Sequence, residues 1–205
     1  MKLYYAFIFI ISTVVINAEI VEIKKDVPFV MVSSYGKKVK IERSSKENSH
    51  LTNTYARTSR PSPPFFIQPF EVAKGVDTYG ELEVLDFIEK RRGIFVDARL
   101  RNWYEKSAIA SSVNIPFKIF LKDSDKLTRI LKKFAGKKGA DGKWNFDKAP
   151  QILFYCNGAW CGQSPTAINA LIKLGYPKSK MKYYRGGMQS WQLLGLSTIV
   201  PKGRR

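Results

Sequence analysis

Cysteine and histidine are both scarce in this chain of 205 residues, which has two cysteines and one histidine. A domain of this size that depended on disulfides would normally carry more cysteines, so its stability must come from a packed core. A structural zinc site takes four ligands, and two cysteines with the distant His50 make a poor set. We therefore expect neither a metal nor another cofactor. The chemistry falls to Cys156 and Cys161, which have four residues between them.

Acidic residues are also few. The chain has 17 of them and 35 lysines and arginines, which gives a formal net charge of +18. None occurs between Lys148 and Arg205. Such an excess indicates an anionic small molecule, an anionic surface or nucleic acid as a partner. The lysines are not interleaved with aromatic residues in the way that a nucleic-acid binder needs. We therefore expect no nucleic acid, and the carboxylate-free C-terminal part favours a small anionic substrate.

Long apolar runs are confined to the N-terminus, where residues 3–15 follow Lys2. A positive residue, a short apolar run and a small residue at Ala18 form the pattern of a cleaved signal peptide. The run is shorter than a membrane-spanning helix requires. We expect a signal peptide at residues 1–18 and an exported chain, periplasmic or secreted, with no stable membrane span after cleavage. An uncleaved N-terminal anchor is the alternative.

The rest of the chain divides into two regions. Residues 19–75 form an N-terminal extension, in which the apolar-rich runs 29–32 and 38–41 predict a β-hairpin. Over residues 76–205 helices and strands alternate, beginning with a capping box predicted at 78–81. This alternation predicts an α/β sandwich with a mainly parallel sheet. The predicted strands are 94–96, 113–115, 151–155 and 182–184, and predicted helices begin near residues 81, 125, 164 and 187.

The strongest predicted strand ends directly at Cys156, and the segment from Tyr155 to Ser164 reads Y-C-N-G-A-W-C-G-Q-S. Ser164 and Pro165 predict the N-cap and the first position of a helix. In open α/β sheets, ligands bind at the carboxyl ends of the strands. A curled loop there points backbone N–H groups at the sulfur, and these groups, with the helix dipole, lower its pKa. We expect Cys156 to be a catalytic thiolate whose pKa is lowered more by its backbone cradle than by any single side chain. A buried, inert cysteine is the alternative.

The loop after this cysteine is the predicted substrate-binding segment. It comprises Asn157, Gly158, Ala159, Trp160, Cys161, Gly162, Gln163 and Ser164. Trp160 either lines the mouth of a pocket or packs on the body of the domain. Cys161 points either outward, where it would not affect the chemistry, or inward, where it could act as a resolving thiol.

Three stretches resemble the rhodanese family at the right separations. The first is V-D-A-R at 96–99 with V-N-I-P at 113–116, the second is Cys156 itself, and the third is Y-R-G-G-M at 184–188. The resemblance implies a three-layer sandwich with a five-stranded, mainly parallel sheet over residues 76–205. It also implies a sulfurtransferase, in which the cysteine takes a sulfane sulfur from a small anionic donor such as thiosulfate or a polysulfide. The persulfide then passes this sulfur to a thiol or a cyanide-like acceptor.

The same resemblance gives supporting roles to Asp97, Arg99 and Arg185, and a buried Asp–Arg pair usually satisfies itself. The loop departs from the family pattern, because no basic residue occurs from 157 to 166. A loop arginine therefore cannot bind thiosulfate, nor can one clamp a phosphate as the phosphatase relatives need.

Two other functions stay open. One is a thiol–disulfide protein that uses Cys156 and Cys161 as a redox pair. The other is a non-catalytic module that binds sulfide, an anion or a partner protein, with the N-terminal extension shaping the interface.

Overall fold

The computed structural model describes residues 20–62 and 64–201. The predicted signal peptide lies outside these residues, so its cleavage and the export of the chain stay predictions. Within the described part, no helix has the length and apolarity that crossing a membrane requires.

The elements follow the alternation that the sequence predicts. The strands, in chain order, are β1 (Phe29–Ser34), β2 (Lys37–Glu42), β3 (Asp77–Tyr79), β4 (Gly93–Asp97), β5 (Val113–Asn114), β6 (Lys137–Lys138), β7 (Trp144–Asn145), β8 (Gln151–Tyr155) and β9 (Met181–Tyr184). The helices are α1 (Glu81–Glu89), α2 (Arg101–Lys106), α3 (Asp125–Lys133), α4 (Gln163–Lys173) and α5 (Gly187–Leu193). Short 3₁₀ helices lie at Thr54–Ala56, Phe117–Leu121 and Lys178–Lys180.

A five-stranded sheet forms the middle layer, in the order β3-β9-β8-β4-β5. Every neighbouring pair in it is parallel. The central strand, β8, is almost entirely apolar, because a parallel strand with helices on both faces is buried on both sides. The predicted α/β class and the five-stranded parallel sheet are confirmed.

Hydrophobic clusters fill the space on both faces of the sheet. Phe95 and Leu153 point to one face, where α1, α5 and the β1–β2 hairpin pack. Val96 and Phe154 point to the other face, which α3 and α4 cover. Successive side chains of a strand alternate between faces, so these strands supply both cores and complete the predicted three layers.

The start of the domain differs from the sequence prediction. The capping box predicted at 78–81 is wrong, because Thr78 belongs to the edge strand β3 and its hydroxyl donates to the carbonyl oxygen of Phe70 at 2.5 Å. The helix α1 begins after Gly80 instead. The carboxylate of Glu83 accepts a hydrogen bond from the Gly80 N–H at 3.0 Å, so the first turn is capped from inside the helix.

The N-terminal extension packs on the domain. Its predicted hairpin is confirmed, with β1 and β2 antiparallel and joined through Tyr35 and Gly36. Val30 and Ile41 are buried in the same cluster as the helices α1 and α5. After the hairpin, the N–H of Ser44 donates to the carbonyl oxygen of Gly195 at 2.8 Å. The boundary predicted at residues 75–76 stays a prediction, but the hairpin shares its core with the domain.

Candidate active site

Cys156 lies where the sequence places it, directly after β8 at the carboxyl edge of the sheet, and its side chain is 1% exposed. The start of α5 holds the first part of the loop. The N–H of Met188 donates to the carbonyl oxygen of Cys156 at 3.0 Å, and the N–H of Gln189 donates to that of Asn157 at 2.9 Å. Gly187 permits this contact, because it has φ +56° and a Cβ there would lie 2.4 Å from the Cys156 oxygen.

The environment of Cys156 favours the thiolate. Burial by itself raises the pKa of Cys156, but hydrogen bonds from the Cys161 thiol, the Ser164 hydroxyl and the N–H groups of Ser164 and Gly158 outweigh it. The net result lowers the pKa of Cys156 to about 7. The Cys161 thiol lowers this pKa more than either backbone group alone, and the expected lead of the whole backbone cradle over any single side chain stays a prediction.

Cys161 points inward, which answers a question that the spacing left open. Its side chain is 1% exposed, and the amide nitrogen of Asn157 lies 3.5 Å from its sulfur. The hydrogen bond to Cys156, followed by burial, raises the pKa of Cys161. When Cys156 is protonated, its thiol can donate to the carbonyl oxygen of Cys161, at 3.1 Å. Both cysteines are free, and of the two thiols Cys156 loses its proton first.

Ser164 is not the helix cap that its position before Pro165 predicts. The helix α4 begins at Gln163, and Gly162 occupies the cap position. Ser164 lies within the first turn, and its hydroxyl is fully buried without a hydrogen-bond partner among residues 20–62 and 64–201. This leaves the hydroxyl free to donate to the sulfur of Cys156, which lowers the pKa of that thiol. A cap bond to its own helix would have removed this donor.

Asp97 and Arg99 form a buried ion pair beside the loop. The Arg99 Nε donates to both carboxylate oxygens of Asp97, at 2.9 and 3.0 Å. The remaining Arg99 nitrogens reach the carbonyl oxygen of Ser107 at 2.6 Å and the hydroxyl of Tyr55 at 3.0 Å. This pair satisfies itself and touches neither sulfur, and its link to the loop runs through Tyr55.

The extension supplies a second group of residues near the loop, which no local motif indicated. We call residues 53–62 and 64–70 the strap. Its Gln68 N–H donates to the carbonyl oxygen of Ala159 at 2.8 Å, and Arg185 donates to the carbonyl oxygen of Gln68 at 3.0 and 2.9 Å. The one sequence signal that could have pointed to it is the apolar run F-F-I at residues 65–67. The strap covers the loop from outside.

Trp160 packs against the strap. The guanidinium of Arg60 stacks 3.8 Å from its ring centroid, and the ring of Phe65 meets it edge-on at 5.1 Å. The indole nitrogen donates to Gln189 at 2.6 Å. Trp160 therefore joins the loop, the strap and α5, rather than standing free at the mouth of a pocket.

The face of the sheet that carries α4 holds another buried donor. The Tyr183 hydroxyl has no hydrogen-bond partner among the described residues. Burial, and then the charge of Cys156, raise the pKa of Tyr183, so it stays protonated and can donate. Within the same residues there is no cluster of His, Cys, Asp or Glu that could hold a metal ion. The groups around Cys156 thus favour a negative charge on its sulfur.

The site is a buried cysteine with a lowered pKa at the carboxyl end of a parallel α/β sheet. The family profile described as a rhodanese-like domain matches residues 82–194, which is more than half of the chain. The chain therefore belongs to the rhodanese-like domain family. No curated protein sequence matches the chain significantly.

Solved structures give only distant similarity. An uncharacterized protein from Saccharomyces cerevisiae is 22% identical with a TM-score of 0.41, over 57% of this chain and 91% of that one. A thiosulfate sulfurtransferase from Pseudomonas aeruginosa is 19% identical with a TM-score of 0.45, over 66% of this chain but 22% of that one. A rhodanese with anions from E. coli is 20% identical with a TM-score of 0.35, over 53% and 98%. The family assignment therefore rests on the sequence profile.

Proposed function

We propose that the protein is a sulfurtransferase that carries sulfane sulfur on Cys156. The support is most direct in the burial of the Cys156 thiol beside the Cys161 thiol, the Ser164 hydroxyl and two loop N–H groups, which lower the pKa of Cys156 to about 7. About half of the molecules therefore hold a thiolate at neutral pH. A persulfide is also anionic, so the same donors stabilise the sulfur-loaded form.

The reaction is a pair of displacements at sulfur. The Cys156 thiolate attacks the outer sulfur of the donor and forms a new S–S bond. With thiosulfate, the S–S bond of the donor breaks and its electron pair leaves with sulfite. Cyanide or a thiolate then attacks the terminal sulfur of the persulfide, and the electron pair of that bond returns to Cys156 as the thiolate.

Positive charge for an anionic donor comes from outside the loop. Arg60 is held beside the loop by Trp160, and its Nε is buried without a partner among the described residues. Arg185 lies at the end of β9 and binds the strap. A guanidinium with unused N–H groups recognises oxyanions well, so Arg60 is the candidate substitute for the missing loop arginine.

The strap also controls access to the sulfur. Because Cys156 is 1% exposed, a donor reaches it only when the strap or Trp160 moves. Tyr55 is buried, but the outer part of the strap, residues 60–62 and 64–70, is held to the loop mainly by the Gln68–Ala159 bond and the packing of Arg60 and Phe65 on Trp160. Local openings of such lightly attached segments are the ordinary source of access in folded proteins.

Mass spectrometry tests the proposal. We expect purified protein treated with thiosulfate or a polysulfide to gain the mass of one or more sulfur atoms on Cys156. Cys156→Ser should gain none, should transfer no sulfur to cyanide, and should still unfold cooperatively. If the wild type gains no sulfur from any donor, the transferase proposal fails and the non-catalytic binding module is favoured.

A thiol–disulfide protein is the second candidate, because both cysteines are buried in one closed loop and the Cys156 sulfur lies 3.1 Å from the carbonyl oxygen of Cys161. In that case mild oxidation of the protein would remove two hydrogens without adding sulfur, and Cys161→Ser would be as inactive as Cys156→Ser. We favour transfer, because a short bridge between these residues would turn the loop N–H groups away from the Cys156 sulfur.

We also propose that the protein acts outside the cytoplasm, on the basis of the N-terminal sequence pattern. Intact-mass measurement of protein recovered from the cell envelope or medium tests this, and a full-length mass there would contradict cleavage after residue 18. A partner protein that delivers or accepts the sulfur is compatible with a site that the strap covers. The formal net charge of +18 favours an acidic partner protein.

A further inference from the structure

We propose that Tyr55, in the N-terminal extension, is a positioning residue of the active site that acts on the Cys156 thiolate through Asn157 and Cys161. The proposal rests on the role of Cys156 as the reactive thiolate. Tyr55 lies outside residues 82–194, which match the family profile, so this chain completes its active site with a segment of its own.

The position of the Tyr55 hydroxyl is well determined. Tyr55 lies in the short 3₁₀ helix Thr54–Ala56, whose N-cap Asn53 accepts a hydrogen bond from the Tyr55 N–H at 2.8 Å. The side chain of Gln189, on α5, donates to the Tyr55 carbonyl oxygen at 2.8 Å. The ring is buried and packs 6.1 Å from that of Trp103. The backbone and the ring of Tyr55 are therefore both held in place, and this fixes the position of the hydroxyl.

The hydrogen bonds at this hydroxyl have a defined direction. Arg99 donates to it from Nη1 at 3.0 Å, and a guanidinium can only donate. The Tyr55 proton is therefore left for the carboxamide oxygen of Asn157, at 2.9 Å. Burial is the main reason that the pKa of Tyr55 is raised to about 12, so the hydroxyl keeps this proton throughout the neutral range.

The orientation of Asn157 follows from that bond. With its oxygen held by Tyr55, its amide nitrogen faces the sulfur of Cys161 at 3.5 Å. A sulfur that accepts a bond from Asn157 can direct its own proton elsewhere, toward the sulfur of Cys156. A continuous row of donors thus runs from Arg99 to the Cys161 sulfur, and each donor polarises the next. The Cys161 thiol in turn lowers the pKa of Cys156.

The test replaces Tyr55 by phenylalanine, which removes the hydroxyl and keeps the ring. Asn157 then loses the hydrogen bond that orients its side chain. Its amide nitrogen is no longer held toward the sulfur of Cys161, and the Cys161 thiol is no longer held in the orientation that lowers the pKa of Cys156. We expect the pKa of Cys156 to rise by about one unit, as the loss of one hydrogen bond to a charged group implies. The ultraviolet absorbance of the thiolate, titrated against pH with Cys156→Ser as the blank, measures this without a reagent entering the site.

Two variants separate positioning from general packing. Tyr176→Phe removes a buried hydroxyl on the other face of the sheet, where it donates to the Pro150 carbonyl oxygen at 2.6 Å, and should leave the pKa of Cys156 unchanged. Tyr55→Phe combined with Cys161→Ala should raise that pKa no further than Cys161→Ala alone.

The proposal is overturned if folded Tyr55→Phe keeps the wild-type pKa, or if its effect persists when Cys161 is alanine. If Tyr55→Phe does not unfold cooperatively, Asn157→Ala cuts the same row one link later and must raise the pKa of Cys156. An unchanged pKa there overturns the proposal too. The titration involves no sulfur donor, so it tests this proposal separately from the transferase function. If the pKa of Cys156 shifts in Tyr55→Phe but the protein accepts no sulfur, the transferase function is contradicted and the positioning role of Tyr55 is supported.

Discussion

Replacing Cys161 by alanine removes one donor from the Cys156 sulfur without changing the backbone. The Cys161 thiol comes first among the groups that lower the pKa of Cys156 to about 7. A hydrogen bond to a charged group contributes roughly 1.5–3 kcal/mol, and one pKa unit corresponds to about 1.4 kcal/mol. The loss should therefore raise the pKa of Cys156 by about one to two units.

The sign of the pH effect follows from the reactive form. The thiolate is the nucleophile, so wild-type activity should rise as the pH passes through about 7 and then level off. In Cys161→Ala the same rise should come about one to two pH units higher. At pH 7 the thiolate fraction should fall from about a half to roughly a tenth or less, which makes sulfur transfer about fivefold slower or more.

Cys161→Ser is the matched control, because its hydroxyl can still donate to the sulfur but cannot form a disulfide. Its pH midpoint should stay close to that of the wild type. The assay is the initial rate of thiocyanate formation from thiosulfate and cyanide across the pH range, together with the thiolate absorbance. A midpoint that stays near 7 in Cys161→Ala would refute the assigned hydrogen bond. A serine variant without any activity would instead place Cys161 in the mechanism and favour the redox pair.

Further predictions concern the loop support and the strap. Gly187→Ala should abolish sulfur transfer and lower the free energy of unfolding, because its Cβ would lie 2.4 Å from the Cys156 carbonyl oxygen. Gly142→Ala has a similar positive φ but nothing within 4 Å, so it should cost only the backbone strain, about 1–2 kcal/mol; equal losses in urea unfolding would contradict the clash. Arg60→Gln should raise the KM for thiosulfate several-fold, whereas the exposed Arg57→Gln should not; equal effects would reduce the role of Arg60 to general charge.

The sequence by itself determined the sheet and the position of the nucleophile. The run 151–155 is apolar at every position after Gln151, which only a strand buried on both faces requires. Its end therefore places Cys156 at the carboxyl edge. The hairpin was equally readable, because two short runs flank a turn that contains Gly36. These features depend on neighbours in the chain, so the local pattern is enough to predict them.

Elements that depend on distant partners were misplaced or missed. The strand β3 has three residues, too few to show a period, and it exists because it pairs with β9 about a hundred positions later. Ser164 has the sequence of a helix cap, but the helix begins one residue earlier at Gln163. Its hydroxyl is buried near the Cys156 sulfur instead. No sequence rule predicts whether a serine hydroxyl will cap its own helix or face a distant sulfur atom.

Only the tertiary structure decided which residues complete the site. Tyr55 lies 102 positions before Asn157, and its hydroxyl binds that side chain at 2.9 Å. Arg60 is brought to the loop by stacking on Trp160, and Cys161 is turned inward by the curl of the loop. Hydrogen bonds and stacking act over a few ångströms, whatever the separation along the chain. Such contacts leave no local pattern, and the folded chain alone brings their partners within reach.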